Sequence, residues 1–333
     1  MNVLKLKIAC YKYVHTQSLF DGSVKLDNYD VEFRTDNRID KLFERMIKDN
    51  EFDVSELGLT FYLRYLEMGD CPFIAIPIFP NRQFRHSAIF VNKASGIKTP
   101  KDMEGKVIGE FATYSHDAGT VAKGILSDEY KLKLENCKWI IGGFDYPMQP
   151  LDFIPYITPE NIDIKKAPLD KALGTMLDNG EIDAFITADV PRCFLDNSSN
   201  VERLFPNYED LERDYYRRTN IFPIMHTVVI RKELIENDPN LAKAVYNAFC
   251  EAKDIAMQHY VKMQYIYNTD TMIPWFNTVF EKNRELFPKD WWPYGLKENY
   301  KAVDIFLRWQ YEQGITKKRW TCEEIFLPEF FNI

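Results

Sequence analysis

The sequence predicts an α/β protein of two lobes with a helical C-terminal extension, and three observations carry that prediction. Residues 3–79 alternate strand-like and helix-like apolar patterns. Residues 88–187 repeat the alternation, and a lone apolar strand at residues 224–230 then opens a helical tail. The chain has 333 residues, enough for two medium lobes with sizeable cores. Apolar residues make up 46% of it and aromatic residues 15%, the balance of a chain that folds rather than one that stays disordered.

Each element has its own reason. Residues 3–11 alternate as a first strand. Ile39, Leu42, Phe43, Met46 and Ile47 then fall at helical spacing on one amphipathic face. Residues 52–57 read as a short strand, 61–68 as a helix and 73–79 as a buried strand. This β-α-β-α-β order is the pattern of a parallel sheet. The second unit opens with a strand at 88–91 and a short helix at 99–102. There Thr99 caps, Pro100 suits the first helical position and Asp102 meets the positive end of the dipole. Strands at 106–111, 139–141 and 182–187 follow, with helices at 115–126 and 168–177, the latter ended by Asn179-Gly180. In the tail, Asp238-Pro239 opens a stretch at 241–267 long enough for one or two helices, and 299–313 is a final amphipathic helix. The simplest division gives residues 1–87 and 220–333 to lobe 1 and residues 88–219 to lobe 2.

Acidic residues outnumber basic ones by 50 to 42, for a net charge of −8. Phosphate binding needs a positive field, so nucleic acid is not an expected partner. Six scattered cysteines show no CxxC and no close Cys/His spacing, hence neither a zinc site nor a disulfide framework. No metal and no cofactor are expected. No apolar run approaches the roughly 20 residues of a membrane helix, and the first residues lack the apolar core of a secretory signal. The expectation is therefore a cytoplasmic protein without a membrane partner. A homo-oligomer is left open.

Two segments stand out. Arg82-Gln83-Phe84-Arg85-His86-Ser87 lies between two apolar runs, and Arg217 and Arg218 precede His226, which leads into Thr227-Val228-Val229-Ile230. Charged groups at the mouth of a buried strand cost free energy unless an anion or a carboxylate compensates them. Both segments fall at the expected crossovers between lobes. A cleft for a small anion follows.

The same residues carry a family resemblance. Phe52-Asp53-Val54-Ser55-Glu56-Leu57, Phe84-Arg85-His86-Ser87, Gly180-Glu181-Ile182-Asp183-Ala184 and Tyr215-Tyr216-Arg217-Arg218-Thr219 resemble the 4,5-dihydroxyphthalate decarboxylase family. So do the stretch from Ile221 to Thr227 and Trp292-Pro293-Tyr294-Gly295-Leu296. The similarity spans nearly the whole chain. It implies a type II periplasmic-binding-protein-like fold and cofactor-independent decarboxylation of a hydroxylated aromatic dicarboxylate. The alternative is a solute-binding protein for a small carboxylate, serving an ABC-type transporter. Either way the expected partner is a small carboxylate, aromatic in the enzyme.

The candidate residues follow from chemistry. His86 or His226 is the proton donor, and Glu56 accepts from a ring hydroxyl. Arg85, with Arg217 or Arg218, clamps carboxylates through the planar guanidinium fork. Ser55 beside Glu56 meets a ligand hydroxyl beyond a strand end. Tyr114, Ser115 and His116 sit at a helix start, a seat for a carboxylate, with Ser115 as the N-cap. Arg192 is placed near the return crossover. Each has a plain structural alternative: a core contact for the histidines, ion pairs for the arginines and a turn role for Ser55. A metal variant, with His86, His226 and Glu56 on one ion, gains nothing from the spacing.

Overall fold

The computed structural model describes residues 4–151, 153–155, 158–266, 271–287 and 290–333. Two sheets organise it. The first holds β1 (Leu4–Ala9), β2 (Tyr29–Arg34), β3 (Val54–Gly58), β4 (Phe73–Ile76) and β11 (His226–Arg231), in the order β2-β1-β3-β11-β4. The second holds β5 (Ile89–Asn92), β6 (Val107–Phe111), β7 (Lys138–Gly142), β8 (Asp163–Lys166), β9 (Ala184–Ile186) and β10 (Val201–Arg203). Its order is β10-β5-β9-β6-β7-β8.

The first sheet is not the purely parallel one that its β-α-β-α-β order implies. β1 runs parallel to β2 and β3, but β11 returns from far along the chain and inserts antiparallel between β3 and β4. Residues 226–230 of β11 are all buried, which is why the strand reads as continuous apolar sequence. β2, β8 and β10 were not expected from the sequence. All three are edge strands, half-exposed and rich in charge, so no buried face marks them.

The helix Ile39–Asp49 forms where the apolar spacing puts it and buries Leu42, Phe43 and Met46 under the first sheet. Burying each such side chain is worth about 2 kcal/mol. The Thr99 turn forms as a 3-10 helix, Pro100–Met103, with the capping box between Thr99 and Asp102. The tail contains one helix at Leu241–Tyr265, and residue 267 of the expected stretch lies outside the described residues, as does residue 3 of the first strand. Among the described residues no helix is long and apolar enough to cross a membrane.

The chain passes between the sheets twice, and the two passages lie side by side. Arg82 and Ile224 form an isolated antiparallel bridge, and the Met225 amide donates to the Asn81 carbonyl at 3.0 Å. The last long helix, Leu296–Glu312, is wedged across the same junction. Gln310 Nε2 donates to Thr60 Oγ1 (2.5 Å) beside the first sheet and to Thr120 Oγ1 (2.9 Å) beside the second. Gln313, just past the helix, donates to the Thr120 carbonyl and accepts from Ser115 Oγ.

Candidate active site

A cleft of about 390 Å³ opens between the two sheets. That is within the range of small-molecule sites. Residues following strand ends line it: Tyr11 and Tyr13 after β1, Ala112, His116 and Asp117 after β6, and Ala188 and Asp189 after β9. Ligands of open α/β sheets collect beyond the carboxyl ends of strands for this reason. The crossovers add Asn81, Gln83, Arg85 and Met225, and β11 begins with His226.

The centre of the site is a carboxylate and an imidazole brought together across β3 and β11. Glu56 is fully buried, and its Oε1 lies 2.6 Å from His226 Nδ1. Register makes the meeting possible, because Glu56 pairs with Val228 and His226 with Gly58 on adjacent strands. The Tyr13 hydroxyl donates to the same Oε1 (2.7 Å), and the Tyr11 amide donates to Oε2 (2.9 Å). A carboxylate with this many donors stays oriented, and it holds the imidazole with Nδ1–H turned inward. Nε2 is then the nitrogen left for a ligand. The ring is fixed edge-on against Phe43 at 5.2 Å between centroids.

Two arginines line the cleft: Arg38, paired with Asp40, and the buried Arg85. Arg85 is 4% exposed, its Nη1 donates to the Ala188 carbonyl (3.0 Å), and its Nη2 contacts the Met225 sulfur. Its Nε has no partner, and among the described residues Arg85 makes no ion pair. Burial lowers its pKa to about 10, against the pull of Asp189, Glu212 and Asp117. A buried guanidinium without a paired carboxylate is costly, and an incoming carboxylate removes that cost.

Asp117 opens the helix Asp117–Tyr130 and is buried. Its Oδ1 accepts from the Thr60 amide at 2.8 Å, so a carboxylate of one lobe caps a helix of the other. Burial raises the Asp117 pKa, opposed by His226, by the Thr60 amide and by His116. His116 is the N-cap of that helix, and its Nε2 has no hydrogen-bond partner. Behind it Glu110 is fully buried, with Oε1 3.4 Å from His116 Nδ1 and Oε2 2.6 Å from Lys123 Nζ.

The structure therefore places Arg85, His116 and His226 on the cleft and leaves the other expected site residues elsewhere. Glu56 is fully buried behind His226 and does not line the cleft, so its oxygens, bonded to Tyr11, Tyr13 and His226, are not placed to accept from a ring hydroxyl as expected. His86 does not line the cleft that Arg85 enters. It packs against Phe205, Tyr215 and Tyr130, and burial lowers its pKa to about 4. Arg217 and Arg218 are exposed in the last turn of the helix Tyr208–Thr219, where cations complement the helix end, and Arg218 pairs with Asp214 and Glu129. Ser55 points to the other face of β3 from Glu56, and its hydroxyl bonds the Glu56 carbonyl. Tyr114 is buried against Trp139, with Lys123 Nζ 3.3 Å from its ring centroid. Ser115 is not the N-cap. It takes a left-handed conformation (φ +61°), and its hydroxyl goes to Gln313. Arg192 is exposed and pairs with Asp196. Glu56 and His226 meet without His86, so the three residues of the metal variant do not converge. No group of three metal-ligating side chains is present among the described residues.

Tyr13 and Asp117 are site residues that sequence reasoning missed. Tyr13 follows the first strand and Asp117 follows His116 at a helix start, so position beyond a strand end was the available signal.

Two α/β sheets facing one cleft give the chain a periplasmic-binding-protein-like fold. Solved structures agree on the fold. The aliphatic sulphonate binding protein SsuA of Escherichia coli matches with a TM-score of 0.56 at 13% identity, over 98% of this chain and 99% of its own. A putative periplasmic sulfonate-binding protein SsuA of Methylobacillus flagellatus gives 0.57 at 14% identity, over 99% and 93%. The desulfurization enzyme DszB gives 0.54 at 12% identity, over 99% and 98%. No protein-family model matches the chain. Among curated proteins, 4,5-dihydroxyphthalate decarboxylase of Comamonas testosteroni is 32% identical over 328 residues, 98% of either chain. The same-named protein of Pseudomonas putida is 32% identical over 217 residues, 65% of this chain and 83% of its own. The chain belongs to the 4,5-dihydroxyphthalate decarboxylase family.

Proposed function

We propose that this protein decarboxylates a hydroxylated aromatic dicarboxylate of the 4,5-dihydroxyphthalate type in the inter-lobe cleft. The observation that carries the reading is the buried Glu56–His226 pair, with Nδ1 held at 2.6 Å and the other ring nitrogen left for a ligand. Holding a carboxylate needs only a cation. Replacing a carboxylate by hydrogen also needs a proton donor.

In the reaction the carbon–carboxylate bond breaks and CO2 leaves. Its electron pair stays on the ring carbon, which takes a proton. A hydroxyl para to that carbon supplies electron density as the proton arrives. His226 delivers the proton, Glu56 keeps the imidazole oriented and stabilises its charged form, and Arg85 holds a carboxylate. Solvent restores the proton after each turnover. All six cysteines are free, in keeping with a reducing cytoplasmic setting, which is part of the proposal.

The test is direct. Purified protein incubated with 4,5-dihydroxyphthalate is expected to release CO2 and form 3,4-dihydroxybenzoate, with one solvent deuterium on the ring in D2O. Unchanged substrate at high enzyme concentration would overturn the assignment. Tight stoichiometric binding without turnover would favour the solute-binding alternative instead.

A further inference from the structure

His226 is only one of two imidazoles in the cleft, and the second comes from the opposite lobe. His116 lines the same cavity, is 7% exposed, and has no hydrogen-bond partner at Nε2. Like His226 it has a buried glutamate at Nδ1, in this case Glu110 at 3.4 Å. The two settings differ in charge. His226 Nδ1 lies 2.6 Å from Glu56, whose other donors are Tyr13 and the Tyr11 amide. Glu110 is already committed to Lys123 Nζ at 2.6 Å and to the Ser115 amide at 2.7 Å.

The pocket for Glu110 is built into the backbone. A Cβ on Gly119 would collide with Glu110 Oε1 and come within 2.9 Å of His116 Nδ1. Only glycine there lets the carboxylate rise against the first turn of the helix. Lys123, one turn further on, neutralises it in a fully buried position.

We propose that His116 is the second proton-handling group of the site, an imidazole that takes the ring-hydroxyl proton as His226 protonates the ring carbon. Glu110 and Lys123 are its positioning residues. The oxygen–hydrogen bond gives its proton to His116 and leaves its electron pair on the ring, and His116 returns the proton to the product hydroxyl after CO2 has gone. The inference rests on the decarboxylase reading for its substrate. One part of its test does not need turnover.

That part is the absorbance of a bound catechol acid. With 3,4-dihydroxybenzoate as the probe, the wild-type complex is expected to show the red-shifted phenolate band near neutral pH. H226Q keeps the band and H116Q loses it. In turnover of 4,5-dihydroxyphthalate, H116Q is expected to lose about 100-fold in kcat with KM changed less than about threefold. A ring-fluorinated substrate, whose hydroxyl ionises more readily, restores part of the loss in H116Q and none in H226Q. The paired variant E110Q/K123M leaves no unpaired buried charge. It is expected to keep the fold by circular dichroism while losing most of the band. A band unchanged in H116Q, or fluorine rescue equal in the two histidine variants, overturns the inference. Absence of turnover by the wild type overturns the decarboxylase reading alone, and the absorbance comparison still decides the role of His116.

Discussion

Arg85 and His86 are neighbours in sequence and opposites in setting. Arg85 reaches into the cleft with no ion pair, while His86 is enclosed by three aromatic rings. Replacing Arg85 with Met removes an uncompensated buried charge. KM is expected to rise about 30-fold, roughly 2 kcal/mol for a charged hydrogen bond, while the thermal midpoint stays level or rises. A fall in the thermal midpoint would mean that Arg85 is structural. His86 carries a different prediction. Its folded pKa of about 4 lies below the ordinary value of 6.5, so the unfolded chain binds its proton first as pH falls. The associated stability is complete above pH 6.5 and is lost progressively down to about pH 4, roughly 3 kcal/mol in all. Urea titrations at pH 7 and 4.5 are expected to show a smaller loss in His86→Phe than in wild type. At the centre of the site, His226→Gln is expected to lower kcat about 1000-fold and Glu56→Gln about 100-fold, with KM little changed. Steady-state kinetics on correctly folded variants checks both.

At the scale of elements, the close approach of the lobes depends on what is missing at Gly58. This last residue of β3 is also the N-cap of the helix Leu59–Glu67. A Cβ there would collide with Asp117 Oδ2 and crowd the Phe61 ring. Gly58→Ala is therefore expected to cost about 2 kcal/mol, read from the urea midpoint, by displacing the carboxylate that caps the Leu59–Glu67 helix. A neutral result would mean that Asp117 swings aside without loss. Elements with a buried face were legible in the sequence, from the Ile39–Asp49 helix to the apolar run of β11. The edge strands β2, β8 and β10 were not, because solvent covers much of their surface and leaves no alternating pattern. In the cleft, Arg85 and His226, and Glu56 behind His226, were singled out from residue type and position beside strands, and His116 from its place at a helix start. Which way a crossover side chain points depends on local backbone turns, so His86 and Arg217 could not be sorted from Arg85 by sequence alone.

At the scale of the whole molecule, Gln310 fastens the lobes. One carboxamide bonds threonines beside both sheets, and Trp309 lies against Gly124, where any side chain would collide with its ring. The lobes of a transport receptor swing to trap a solute, whereas here the last long helix bridges both, which predicts that they stay in one relation. Small-angle scattering of the wild type is expected to be unchanged by a saturating aromatic acid. A clear contraction would show that the helix does not hold the lobes.

The insertion of β11 between β3 and β4 has one more consequence. Glu56 and His226 stand 170 positions apart, and only the strand that completes the first sheet brings them within 2.6 Å. A polypeptide that has finished its second sheet but not its first holds every residue of the pair and none of its geometry. On the proposed mechanism, turnover therefore requires the longest-range strand pairing in the fold to be closed, so activity reports that the chain has been threaded correctly.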